Sequence, residues 1–277
     1  MWKRLWVIFA LVCGGHAGAQ SPKTLTVGVT PTLTAKALLT QYQPLRVYLE
    51  RELRRPVNIV TATDFQKFHA DVLAGEFDMA LSAAHLARHA QVEAKYKPMA
   101  TYTSPNHPLF VMASQRPVTH INDLRGKTLA VFDPLALVVL QAHHWLEDQG
   151  LKAGRDFRVA VFPSHASVAH AVANGEALLG VTATVALGRY PPELRPQVQV
   201  FKELPAVSAL VWLTHPRVEA ESGVLQDAML RFGQSPEGHQ FLSQSGYQGL
   251  RAVPVNELAP LDRAAREAVA QMKATRP

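Results

Sequence analysis

Ser164 and His165 follow the apolar run RVAVF, and Thr182 and Thr184 close the run ALLGVTAT. Thr30 and Thr32 flank Pro31 after LTVGV, while Ser82 and His85 follow FDMAL. Hydroxyls and backbone N–H groups at strand-to-helix crossings can hold an anion against a helix N-terminus. A histidine there donates to an anionic oxygen, and does so best when protonated. These residues therefore suggest capture of a small anion. Each also has a structural alternative. Ser164 or Ser167 can cap a helix, His165 can cap or pack at an edge, and Thr30 and Thr32 can cap the next helix. Tyr102 lies in a predicted lobe-linking strand, where ligand contact and core packing are both open.

Bond-breaking chemistry has weaker support. Ser164 and His165 are adjacent, which rarely gives nucleophile–base geometry, and no Gly-x-Ser-x-Gly elbow is present. The chain is expected not to be an enzyme and to need no cofactor. His85 and His89 are four apart, a spacing that puts both on one helix face and suits zinc. No third ligand accompanies them, and the chain has 12 histidines, so no metal site is expected. His143 and His144 are adjacent and are read as surface residues.

The elements that must position these residues alternate. LTVGV, VNIVTAT and FDMAL read as strands, with helical runs over 34–53 and from Phe65 onward. Pro44 predicts that the first helix starts there or kinks. Asp64 is placed to cap the helix that Gly75 ends. A second unit repeats the pattern with TLAVF, RVAVF and ALLGVTAT, and Asp133 is expected to cap a helix that Pro134 starts. Strand–helix alternation of this kind predicts an α/β fold with mostly parallel sheets flanked by helices. The chain divides into two lobes, 20–112 with 206–277 and 113–205, with crossings near 110–117 and 202–208. Ligands favour clefts between such lobes, at strand carboxyl ends.

The first residues, MWKRLWVIFALVCGGHAGAQ, have a basic start, a short apolar core and the small-residue site Ala17-Gly18-Ala19. This is an export signal, with cleavage expected near Ala19; its core is far shorter than the roughly 20 residues that span a bilayer. Cys13 is the one cysteine and lies inside the signal, so the exported chain has no disulfide and must be stabilised by its core. Val12 before Cys13 is a poor match to a lipoprotein signal. The net charge of +6 includes Lys3 and Arg4 and contains no basic run, so nucleic acid is not expected as a partner.

Taken in order, several segments resemble one family. LTVGVTPT, PLRVYLERELRRPVNIVTATDFQKFHADVLAGEFDMAL and NDLRGKTLAVFDP match it, as do GLKAGRDFRVAVFPSHASVAHAVANGEALLGV and SPEGHQFLSQSGYQGLRAV. The chain resembles the periplasmic substrate-binding proteins of phosphate, phosphite and phosphonate ABC transporters. The resemblance implies a type 2, two-lobed "Venus flytrap" that closes on a small anion and delivers it to a membrane permease, as a periplasmic monomer. An alternative partner is a membrane sensor kinase. Family members hold the phosphorus oxygens with a Ser/Thr-rich turn after an Asp-Pro and with a histidine in the next strand–helix turn. Here Asp133-Pro134 is followed by Leu135-Ala136-Leu137, without hydroxyls, while Ser164-His165 matches the second turn. Thr182-Ala183-Thr184 stands where phosphonate binders can carry an acid, and Ala83-Ala84 where a Gly-Pro turn is usual.

Overall fold

A computed structural model describes residues 23–208, 210–254 and 256–274. The export-signal reading therefore lies outside the described residues. Strands β1 (Leu25–Val29), β2 (Val57–Val60) and β3 (Met79–Ala83) alternate with helices α1 (Ala35–Leu53) and α2 (Phe65–Leu73). Helix α3 (Ala84–Glu93) leads to β4 (Lys97–Tyr102) and β5 (Pro108–Ala113). The second unit holds β6 (Thr128–Val131), α4 (Leu137–Asp148), β7 (Arg158–Val161), α5 (His165–Asn174), β8 (Leu179–Ala183), the short α6 (Thr184–Leu187) and β9 (Val198–Glu203). The chain then runs through β10 (Leu210–Thr214), α7 (Ser222–Phe232), α8 (Pro236–Ser245), β11 (Leu250–Ala252) and α9 (Asp262–Ala274).

Side-chain chemistry fixes the helix starts. Thr34, Asp64, Ser164 and Ser235 each accept a backbone N–H three residues on, which satisfies a first-turn donor. Because Thr34 caps α1, that helix begins well before Pro44 and continues through it, with Leu38, Tyr42, Leu45, Tyr48 and Leu49 buried. Pro44 neither starts nor ends the helix.

The strands form two sheets, of order β11-β4-β10-β3-β1-β2 and β7-β6-β8-β5-β9. Both are mixed, and this corrects the expectation of mostly parallel sheets. β1 pairs parallel with β2 and β3, and β6 with β7 and β8. The pairs made by β4, β5, β9, β10 and β11 are antiparallel. The physical reason lies in the crossings. β5 and β10 each enter a sheet straight from the other, without the crossover helix that α1, α2, α4 and α5 supply to the parallel pairs, and every pair that β5 and β10 make is antiparallel. The outward crossing also lies earlier than expected. Residues 108–113 pair with β8 and β9, so the chain changes sheets between Tyr102 and Pro108, not at 110–117. It returns between Glu203 and Leu210.

One core packs around the first sheet, with Trp212, Phe68, Phe232 and Phe241 fully enclosed. Two smaller clusters pack on the faces of the second sheet. Leu137 and Leu140 of α4 join the first core, so the two lobes meet along an apolar seam. Helix α9 reinforces that seam. Its Asp262 pairs with Arg88 of α3 at 2.7 Å, and its Glu267 pairs with His144 of α4. His144 and His143 are consequently half-buried beneath neighbouring elements, contrary to the surface reading. No helix among the described residues is long and apolar enough to cross a membrane.

Candidate functional site

A cavity of about 450 Å³ opens between the two sheets at their strand ends. Leu33, Phe65, Phe132, Leu137 and Val207 are among its apolar walls. Its polar groups come from opposite sides. Thr32, Asp64 and Tyr42 belong to the first lobe, and Asp133, Ser164, His165 and Arg189 to the second.

The second-lobe wall is the start of α5. β7 ends at Val161, and Ser164 adopts an extended backbone (φ −160°, ψ 166°) before the helix begins. Its hydroxyl accepts the Ser167 N–H at 3.1 Å and lies 2.9 Å from the Ser167 hydroxyl. Ser164 is therefore a cap and a wall residue at once. His165 and Ala166, which also line the cavity, precede the first intrahelical donor, the Val168 N–H that bonds the Ser164 carbonyl at 3.0 Å, so their own N–H groups have no acceptor within the helix. A helix start of this kind carries partial positive charge toward an anion.

His165 is held from behind. Its ring lies 3.9 Å from that of Phe132, and its Nδ1 is 3.0 Å from the Thr182 hydroxyl. Thr182 accepts from the Tyr190 hydroxyl at 2.9 Å. Thr182 then has one proton to give to Nδ1, which favours the tautomer with its proton on Nε2. Burial, and to a lesser degree the charge of Arg189, lowers the His165 pKa to about 4. The ring is neutral at neutral pH and acts as a dipolar donor. Thr182 thus serves the site by fixing His165 rather than by lining the cavity.

The cationic charge in the cavity comes from Arg189, just after α6. Its guanidinium donates to the Ser245 carbonyl of the first lobe at 3.4 Å and forms no ion pair among the described residues. Burial raises the pKa of Tyr42 and Tyr247 and lowers that of His165; the positive charge of Arg189 partly offsets the first two and adds to the third, which places it among the groups of the wall. The sequence reading missed Arg189. The available signal was a lone cation in the apolar stretch TATVALGRYPP, downstream of a strand already singled out.

Two carboxylates, Asp64 and Asp133, line the same cavity. Asp64 caps α2 by accepting the Lys67 N–H at 2.7 Å, and that bond chiefly lowers its pKa. Asp133 does not cap a helix, which corrects the expectation. α4 starts at Leu137, with Ala136 at its cap position, because Asp133 instead closes a turn. Its Oδ1 accepts the Leu135 N–H at 2.7 Å and its carbonyl accepts the Ala136 N–H at 3.1 Å. Burial raises the Asp133 pKa, and the charge of Asp64 adds to the rise.

The other sequence candidates sit one step away. Thr30 and Ser82 are buried, with hydroxyls that meet no partner, while the adjacent Pro31, Thr32 and Ala83 line the cavity. His85 is fully buried; its Nε2 lies 2.9 Å from the Leu135 carbonyl, and burial lowers its pKa to about 4. Leu135 packs on the first core and, with His85, ties the lobes together outside the cavity. Tyr102 stacks at 3.9 Å behind Tyr247, which does line the wall. Thr184 holds the His107 backbone at 3.3 Å. His89 hydrogen-bonds His69 at 2.9 Å, and no group of three or more metal-ligating side chains exists among the described residues.

The family model for the phosphonate ABC transporter periplasmic substrate-binding protein matches residues 27–257. The chain belongs to this family. Members bind a small ligand in the periplasm and work with an ABC transporter. The phosphonates-binding periplasmic protein of Escherichia coli (strain K12) is 24% identical, covering 92% of this chain and 81% of that protein. PhnD1 from Prochlorococcus marinus (MIT 9301), solved with methylphosphonate, superposes with a TM-score of 0.77 at 13% identity, over 89% of this chain and 98% of that one. A binding protein component of an ABC phosphonate transporter from Pseudomonas aeruginosa gives 0.76 at 16% identity, over 92% and 90%. These structures share the two-lobed fold of this family member.

A tight helix–sheet contact positions the family member's α5. A Cβ at Gly180 on β8 would stand 2.6 Å from Val168 and 2.9 Å from Val172, both on α5. Gly180→Val is expected to displace α5, destabilise the fold by about 1–3 kcal/mol and weaken ligand binding through His165. Urea unfolding and calorimetry on the same preparation check both effects.

Proposed function

We propose that this chain is exported, loses its first 19 residues, and captures a small phosphonate-like anion between its lobes. It delivers that solute as a monomer to an ABC permease, without turnover. The observation that supports this reading is the convergence on one cavity of the α5 start, the His165 ring and Arg189, which forms no ion pair among the described residues. The ligand contacts are Ser164, His165 and Arg189, with Thr32 from the opposing lobe. Thr182 and Tyr102 act from behind.

Asp64 and Asp133 refine the solute. They repel a bare dianion such as phosphate or sulfate, and they attract a positive group on the same molecule. An anion with an amino group and a short apolar linker fits two carboxylates among apolar walls better than an inorganic oxyanion does. The test is thermal melting of residues 20–277 against phosphate, phosphite, methylphosphonate, aminoethylphosphonate, sulfate and carboxylates. A solute that binds only the folded state raises the midpoint as RT ln(1 + [L]/Kd). Aminoethylphosphonate is expected to give the largest rise. A flat response to every phosphorus compound would overturn the phosphonate assignment. His165→Ala is expected to weaken the best solute by about 1 kcal/mol, or roughly fivefold, in calorimetry.

A further inference from the structure

A second cavity, of about 320 Å³, lies at the opposite end of the second sheet, where β6, β7 and β8 begin. Arg116, Lys127 and Arg158 line it, with Glu176 as the opposing carboxylate. None of these four residues forms an ion pair among the described residues. The three cations are far apart in sequence and form no charge run. The fold assembles them, because Thr128 is the Cα partner of Arg158 and the Arg158 N–H donates to the Lys127 carbonyl at 2.9 Å.

Arg116 is locked in place. Its Nη2 donates to the carbonyls of Val172 and Ala173, at 3.3 and 2.8 Å, near the C-terminus of α5. The guanidinium lies over Gly175, where a Cβ would stand 1.9 Å from Nη1. A side chain at 175 would expel it, and the left-handed φ of +86° there also favours glycine. The carbonyls fix the guanidinium without cancelling its charge. Three cations facing one carboxylate leave an excess of two positive charges. A doubly charged oxyanion offsets that excess better than a halide does, and guanidinium groups match phosphate geometry.

We propose that the convergence of Arg116, Lys127 and Arg158 on this cavity makes it a phosphate-group site, distinct from the interlobe cleft. The phosphate is carried by a free small anion or by a lipid headgroup, and the test separates the two. Isotope-labelled protein, residues 20–277, is titrated with pyrophosphate at constant ionic strength. The amides of Gly175 to Leu178 are expected to shift and saturate. In the Lys127→Gln/Arg158→Gln variant the same shifts need at least about tenfold more pyrophosphate. Both side chains are exposed, so the variant keeps its fold, and unchanged shifts elsewhere in its spectrum verify that. A parallel sedimentation uses phosphatidylglycerol vesicles against phosphatidylcholine vesicles. Saturable shifts without sedimentation assign a free anion. Sedimentation with phosphatidylglycerol alone, lost in the variant, assigns a headgroup. Shifts equal to those given by sodium chloride or unchanged in the variant, with no variant-sensitive sedimentation, overturn the proposal.

Discussion

Arg189→Ala weakens binding of the cleft anion by about 2–5 kcal/mol, or roughly 30- to several-thousand-fold. This is the largest effect expected from a single wall residue. The neutral His165 supplies only a dipole, and the α5 start only partial charge. Removing the guanidinium leaves an anion facing Asp64 and Asp133 with no full positive charge to compensate. The fold should tolerate the change, because the hydrogen bond that Arg189 donates among the described residues is a long one, 3.4 Å to the Ser245 carbonyl. Arg189→Lys restores part of the affinity, since it keeps the charge and loses the planar fork. Calorimetry on the three proteins checks the order. Equal affinity in wild type and Arg189→Ala would remove Arg189 from the site.

The second large effect is on stability in mild acid. Burial lowers the pKa of His69 to about 3 and that of His85 to about 4, from an ordinary value of 6.5. The unfolded chain therefore binds protons that the folded chain refuses. Stability is fully present above about pH 6.5 and is lost as pH falls toward 4. His165 adds to this, discounted because it is partly open to the cavity. Two to three such groups give a loss of about 3–4 kcal/mol per pH unit at the steepest. Asp133 works in the opposite sense, because its raised pKa favours the protonated folded form, but it titrates from a lower ordinary value, 3.8. Urea unfolding at pH 7.5, 6.0 and 5.0 should show a midpoint that falls steeply below pH 6.5. A midpoint independent of pH over that range would contradict the buried, neutral state of these histidines.

The elements were legible because their signals are local. Thr34, Asp64 and Ser164 announce helix starts by side-chain type, and the apolar runs announce strands. Strand direction was not legible. Periodicity in β5, β9 and β10 is the same whether a neighbour runs parallel or antiparallel, and only the crossings decide. The site was half legible for a related reason. Strand ends face the cleft, but side chains alternate along a strand. A one-residue offset therefore decides which residue meets the solute. Thr30 and Ser82 point into the interior while their immediate neighbours Pro31 and Ala83 reach the wall. Arg189, Asp64 and Asp133 meet only through long-range packing, so no spacing rule could bring them together. Asp64 had a sufficient local explanation as a cap, which concealed its second role.

The central claim is that an anionic solute sits on the α5 start opposite Asp64 and Asp133. A crystal structure of residues 20–277 with aminoethylphosphonate tests it most directly. The account predicts phosphonate oxygens about 3 Å from the amides of His165 and Ala166 and from the Arg189 guanidinium, with the amino group toward the two carboxylates. A phosphonate bound away from the α5 start, or with Arg189 turned out of the cleft, would contradict it.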